Sequence, residues 1–179
     1  MKKTNLKNKV GGFTLIELLV VITIIGILAT IVVVNLNSAR GRGQDTAIKE
    51  QMSQIRAQAA LYYDTQYGYT TGSVSGASGA INCLTSSYTA NTSSFPAGSF
   101  FLDTDFVRSA QGIQKNSAVI PSCYIGGSTS SGKAQSWVMT AKLRLPTSAS
   151  LGYWCVDSIG NSLETNGTPV ETGVEYSCQ

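Results

Sequence analysis

One stretch decides the fold of this chain, and it reads KVGGFTLIELLVV over residues 9–21. It joins a short basic head to an apolar run that carries one carboxylate, Glu17, near its start. No residue from Leu18 to Val34 is charged. In a helix, the run from Phe13 to Val34 covers about 33 Å, which is enough to cross the hydrocarbon core of a bilayer. The stretch therefore predicts a membrane-spanning helix.

The flanks of the run predict its orientation. Four lysines, Lys2, Lys3, Lys7 and Lys9, precede it and favour a cytoplasmic N-terminus with the rest of the chain exported. A secretory signal peptide carries its small-residue cleavage site after the apolar run, yet here no Ala-x-Ala site follows it. The small residues, Gly11 and Gly12, come before the run instead.

Gly12 followed by FTLIELLVV resembles the processing site and first helix of type IV prepilins and pseudopilins. The resemblance implies that a prepilin peptidase removes a leader of residues 1–12 by cutting between Gly12 and Phe13. Phe13 would then carry an N-methyl group. Glu17 would be the assembly glutamate, paired with the Phe13 amine of the adjacent subunit.

The carboxylate of Glu17 needs a partner, because an ionised acid in hydrocarbon costs on the order of a few kcal/mol. Pairing it with a neighbouring amine would offset much of that cost and set the axial register of a polymer. Two other interpretations compete, a proton-relay carboxylate in a transporter and a snorkelling Glu in a plain anchor. A single membrane segment with a Gly-Phe junction favours the assembly role.

Past the membrane segment, residues 13–34, the pattern becomes one-sided. Apolar residues recur at helical spacing, which predicts an amphipathic second half of the same helix over residues 35–67. The stripe consists of Ile48, Met52, Ile55, Ala59 and Tyr62. Gly26, Gly41 and Gly43 weaken the helix by about 1 kcal/mol each relative to Ala, so if the helix melts locally on assembly, the melting is expected near these glycines.

The remainder, residues 68–179, is long enough for one small β-rich domain. Alternation predicts a strand over residues 136–145, with Trp137 and alternate residues to Leu145 on one face and the charges on the other. Further strands are expected at residues 152–157 and 174–178. The predicted fold class is α+β, a long N-terminal helix packed on a small antiparallel sheet of three strands.

Residues 70–131 are rich in Ser, Thr, Gly and Ala and carry little periodicity. A short helix is expected between Phe100 and Gln114, capped by Asp103 or Asp105, with Phe106 and Ile113 facing inward. The resemblance implies that the rest of this region forms exposed loops on a filament surface.

Four cysteines lie on the exported side, and their even number favours two disulfides over a metal site. Of the three possible connectivities we favour Cys83–Cys123 with Cys155–Cys178. The second pair would clasp the C-terminal segment as the C-terminal disulfide loops of pilins do.

The chain has no His, which excludes Ser-His and Cys-His catalysis and imidazole metal sites. Asp103 with Asp105, or Asp157 with Glu164, could form a carboxylate pair or bind Ca²⁺, but solvated loop residues are the simpler interpretation. No catalytic residue, metal ligand or cofactor is assigned.

The leader carries four of the 13 basic residues, so residues 13–179 have nine basic and ten acidic side chains and a net charge of −1. This balance removes the composition-based argument for nucleic-acid binding across the processed chain. Arg40 and Arg42 could still contact phosphate locally. A basic anchor at the membrane edge is the simpler interpretation of this pair.

The resemblance implies a structural subunit of a surface filament, stored in the inner membrane and polymerised by an assembly platform with a separate cytoplasmic ATPase. Adhesion, twitching motility or DNA uptake would follow, with DNA or a surface ligand as a further partner. A pseudopilin of a type II secretion system is the near alternative. A single-pass anchored enzyme or receptor is the distant one.

Overall fold

The computed structural model describes residues 12–71, 78–128, 132–172 and 175–178. Residues 1–11 of the expected leader lie outside this set. The chain divides into two units, one up to Ala39 and one from Arg40 onward. Its first element is a 52-residue helix, α1, Leu15–Gln66, which contributes residues to both units.

The second unit contains a five-stranded antiparallel sheet in which each strand pairs with the next along the chain. Its strands are β1 (Ser78–Asn82), β2 (Ser122–Ser128), β3 (Ala134–Lys142), β4 (Tyr153–Asp157) and β5 (Ser162–Thr165). A separate antiparallel pair follows, β6 (Val170–Thr172) and β7 (Glu175–Ser177). A 3₁₀ turn, Phe100–Leu102, and helix α2, Thr104–Ser117, lie between β1 and β2. The described elements confirm the α+β class.

The apolar stripe of α1 packs as predicted. Ile48, Met52, Ile55 and Ala59 are all buried, in one cluster with the helix-facing residues of the sheet such as Trp137 and Met139. Tyr67, the residue after the helix, has a positive φ of 54°. Its N–H donates to the carbonyl of Tyr63. This left-handed residue satisfies an end carbonyl, and Gly68 follows it directly.

Strand β3 differs from its prediction in extent and in burial. It ends at Lys142, and Leu145 is 46% exposed, because the N–H groups of Arg144 and Leu145 donate to the carboxylate of Asp45 on α1. The opposite face of β3 is also covered: Val138 is buried with Tyr124, Cys155, Tyr176 and Cys178. The C-terminal segment therefore covers the face that was expected to be polar.

The middle region was wrongly expected to consist mainly of loops. It supplies β1, β2 and α2. These two strands join β3, β4 and β5 in the five-stranded sheet, whereas the expected third strand, near the C-terminus, is β7 and lies in the separate pair. The helix expectation is confirmed in outline: Asp103 caps α2 by accepting the N–H of Asp105, and Phe106 and Ile113 are fully buried. The expected terminal strand begins at Glu175, and Val174 lies outside the described residues.

Candidate assembly segment

The predicted cleavage junction lies in accessible, non-helical backbone. Residues 12–14 precede the first turn of α1, and Phe13 is 79% exposed. Nothing lies within 4 Å of the position that a Cβ on Gly12 would occupy. The Gly12–Phe13 bond therefore lies outside the helix.

Thr14 and Glu17 form a capping box at the start of α1. One oxygen of Glu17, Oε2, accepts the backbone N–H of Thr14 at 2.9 Å and its hydroxyl at 2.7 Å, while the Glu17 N–H donates to Thr14 Oγ1 at 3.3 Å. The exchange satisfies N–H groups that have no partner within the helix, and it places a negative charge at the positive end of the helix dipole. Sequence analysis missed this role, although Thr-x-x-Glu is its usual signature.

Glu17 lies within an apolar helix face. A shallow groove is lined by Phe13, Ile16, Val20 and Val21 together with Glu17 itself, which are neighbours on one side of the helix. Every described side chain from Phe13 to Val33 is exposed. By length and composition α1 is the one described helix that could cross a membrane. A surface this apolar requires lipid or protein to cover it.

The cysteines of the second unit form two disulfides, and these are the two pairs favoured from the sequence. Cys83 and Cys123 are joined with a Cα–Cα distance of 5.1 Å, and Cys155 and Cys178 with one of 5.8 Å. The first links the end of β1 to β2, and the second links β4 to the residue that follows β7.

The four acids considered for catalysis or Ca²⁺ all make structural contacts. Asp103 caps α2, and Asp105 lies 3.1 Å from Arg108. Glu164 lies 3.1 Å from Lys49, and a hydrogen bond from the Thr147 hydroxyl, the main cause, lowers the pKa of this carboxyl together with the Lys49 contact.

Asp157 corrects the expectation that these acids are solvated, because it is fully buried. Its carboxylate accepts two N–H groups from Asn161 and the backbone N–H of Cys178. Among the described residues no cluster of three acidic or cysteine side chains has the arrangement of a metal site. Arg40 and Arg42 are exposed.

Comparison with known proteins agrees with the N-terminal geometry. A family model described as the prokaryotic N-terminal methylation motif matches residues 7–33. The chain is 42% identical over 60 residues to the type IV wide pilus major component PilA4 of Thermus thermophilus. The match covers 34% of this chain and 46% of that relative, so the chain spans about half the length of the curated relative it matches. No solved structure matches it. The chain therefore carries the prokaryotic N-terminal methylation motif on its capped apolar helix, and over about a third of its length it is similar to a type IV pilus component.

Proposed function

We propose that this protein is the structural subunit of a type IV pilus-like filament, polymerised through the exposed apolar face of α1 that carries Glu17. The precursor would wait in the inner membrane with its N-terminus in the cytoplasm and its β-rich unit outside. Cleavage by a prepilin peptidase would release the leader and create an α-amino group at Phe13, which is then methylated. An assembly platform with a separate ATPase would drive polymerisation.

The observation that carries the proposal is the position of Glu17 within the groove lined by Phe13, Ile16, Val20 and Val21. A second helix that covers these apolar side chains also covers the carboxylate. Removing the Glu17 carboxylate from water is costly unless a cation is buried with it. Cleavage supplies such a cation four residues away in sequence, on every subunit alike, so one geometry can repeat along a filament.

The capping box complicates a test by alanine substitution, because Glu17 stabilises the start of its own helix in addition to its proposed role in assembly. An alanine at this position removes both the cap and the charge. Glutamine retains the cap, since Gln also serves as the third residue of a capping box, yet it carries no charge. Comparing Glu17→Gln with Thr14→Val, which keeps the charge and loses the hydroxyl, separates the two roles.

The experiment expresses these two variants and the unaltered chain in cells that make filaments. Sheared surface fractions are examined by electron microscopy, and the N-terminus is identified by mass spectrometry. We expect Glu17→Gln to be cleaved and methylated at Phe13 but to give no filaments, whereas Thr14→Val still polymerises. Abundant normal filaments from Glu17→Gln would refute the charge-pairing role, and a surface protein that begins at Met1 would refute the processing.

The pilus role is preferred to a type II secretion pseudopilin because the matched relative is described as a pilus component. Adhesion, twitching motility and DNA uptake are functions that a retained surface filament would serve. No catalytic role is proposed for any residue.

A further inference from the structure

The chain contains two Asn-x-Ser/Thr sequences, NGT at residues 166–168 and NTS at residues 91–93. This pattern is the acceptor for N-linked saccharides in exported proteins, where it lies in accessible surface loops. Both sequences belong to the second unit, which is exported in the proposed function. Because the pattern is short, the local geometry decides whether either asparagine can act as an acceptor.

Residues 166–168 form part of the turn between β5 and β6, and Asn166 is exposed. The side-chain oxygen of Asn166, Oδ1, accepts the backbone N–H of Thr168 at 3.0 Å and the Thr168 hydroxyl at 2.7 Å. Among the described residues, none accepts a hydrogen bond from the side-chain nitrogen of Asn166, Nδ2. The oxygen is therefore fixed in place, while the nitrogen has no competing acceptor.

The turn is fixed because Gly167 has close neighbours on two sides. Its N–H donates to the hydroxyl of Thr165, a buried residue, at 2.8 Å. Its φ of 97° favours glycine, and a Cβ at this position would lie 2.7 Å from the ring of Tyr153. A larger residue is therefore disfavoured in the middle of the sequence, and Asn166 and Thr168 keep the orientation that joins their side chains.

The sequence at residues 91–93 is arranged differently. Asn91 is half-buried, and its Nδ2 donates to the carbonyl of Asn82, at the end of β1, at 2.8 Å. Its backbone carbonyl accepts the N–H groups of Ser94 and Phe95, which closes a tight turn. A saccharide on Asn91 would disturb the contact with β1. Of these two described sequences, the one at residues 166–168 therefore presents the free amide nitrogen.

We propose that Asn166 is a site of N-linked glycosylation, with a lipid-pyrophosphate-linked saccharide as the donor and a membrane transferase that acts on the exported side as the partner. Nδ2 forms a bond to the anomeric carbon of the saccharide. The bond from that carbon to a pyrophosphate oxygen breaks, and the lipid pyrophosphate leaves with the bonding electron pair. The proton lost from Nδ2 passes to a base of the transferase, and no group is oxidised or reduced.

The hydrogen bonds from Thr168 favour this reaction. An amide nitrogen is a weak nucleophile because its lone pair is delocalised toward the carbonyl oxygen. Loss of a proton from Nδ2 places negative charge on Oδ1, and the two Thr168 donors stabilise the charge that develops there. A precursor that waits in the membrane with its β-rich unit outside presents the folded turn to the transferase. This access rests on the proposed function, whereas the geometry of the turn does not.

The test maps the saccharide on the full chain isolated from the surface of cells that assemble it. Peptides are fragmented by electron transfer in a mass spectrometer, which leaves the saccharide attached and identifies the modified residue. We expect a saccharide on Asn166 and none on Asn91. Thr168→Val, which removes the hydroxyl at similar shape, should abolish the modification, whereas Thr168→Ser should retain it. Ser93→Ala is the matched control, because it removes the hydroxyl of the other sequence and should leave Asn166 modified.

An unmodified Asn166 in the surface protein would overturn the proposal, as would its conversion to Asp without a saccharide. A saccharide on the Thr168 hydroxyl would also overturn it. Occupancy of Asn91 equal to that of Asn166 would do the same, by showing that the pattern alone directs the transfer. Glu17→Gln subunits taken from the membrane fraction should still carry the saccharide on Asn166. Loss of filaments with glycosylation retained, or the reverse, therefore distinguishes failure of the assembly proposal from failure of this one.

Discussion

The buried carboxylate of Asp157 should contribute measurably to the stability of the β-rich unit. Oδ1 accepts the backbone N–H of Asn161 at 2.8 Å, and Oδ2 accepts the Asn161 side-chain amide at 2.8 Å and the N–H of Cys178 at 2.9 Å. One fully buried group thereby joins the turn after β4 to the C-terminal segment. The perturbation we consider is Asp157→Asn, which preserves shape and removes charge.

The geometry sets the magnitude. An asparagine with its oxygen at the Oδ2 position keeps two acceptor contacts, but its NH₂ group then faces the Asn161 N–H. One charge-assisted hydrogen bond, about 1.5–3 kcal/mol, is lost and the other two become neutral ones. The lower desolvation cost of an amide offsets part of this loss. We expect the free energy of unfolding to fall by about 2 kcal/mol.

Urea unfolding of the full chain in detergent micelles, followed by Trp fluorescence with the disulfides intact, measures this change. Both tryptophans, Trp137 and Trp154, lie in strands of the β-rich unit. Asp64→Asn is the matched control, because Asp64 is an exposed acid on α1, and its effect should be close to zero. If Asp157→Asn proves as stable as the unaltered chain or more stable, the reasoning is refuted. That result would show that the desolvation cost of the carboxylate outweighs its three hydrogen bonds.

Two further outcomes follow from contacts in the same unit. Gly43→Ala should raise the stability of the helix by about 0.5–1 kcal/mol. Gly41→Ala should raise it less or lower it, because the new Cβ would lie 2.8 Å from Leu145 Cδ1. Equal increases for the two variants in the same urea assay would contradict the packing at Gly41. Because the Thr147 hydrogen bond lowers the pKa of Glu164 below its ordinary value of 4.5, the stability that this carboxylate contributes is complete above that value and is lost as pH falls through the lowered pKa. The difference in unfolding free energy between the unaltered chain and Glu164→Gln should therefore be largest near neutral pH and should shrink as the pH falls below 4.5. A difference that grows on acidification would contradict this prediction.

Periodic and local signals in the sequence predicted much of this structure. The spacing of Ile48, Met52 and Ile55 identified the packed face of α1, because a 3.6-residue period reports burial on one side. The Asp103 cap was identifiable because side-chain capping depends on adjacent residues only. The same local signal is present for the Thr14–Glu17 capping box, whose Thr-x-x-Glu spacing also depends on adjacent residues only.

Non-local contacts were beyond such signals. Strands β1 and β2 lie in a Ser- and Gly-rich region with weak alternation, and their pairing is accompanied by the Cys83–Cys123 disulfide. The end of β3 depends on Asp45, which is 99 residues before Arg144 in sequence. The burial of Val138 depends on the C-terminal segment that covers it. In each case a distant residue decides the outcome, so no local window contains the information.

The aromatic residues nevertheless offered a non-periodic signal in the middle region. Four of the five phenylalanines of the chain fall between residues 95 and 106, and all four are buried: Phe95, Phe100, Phe101 and Phe106. Their ring centroids lie as close as 4.9 Å to one another, and Phe100 and Phe101 also contact Trp137. Large rings bury enough apolar area to anchor a polar segment without any alternation around them. The fifth, Phe13, is exposed at the start of the assembly segment, so its apolar surface still requires a covering partner.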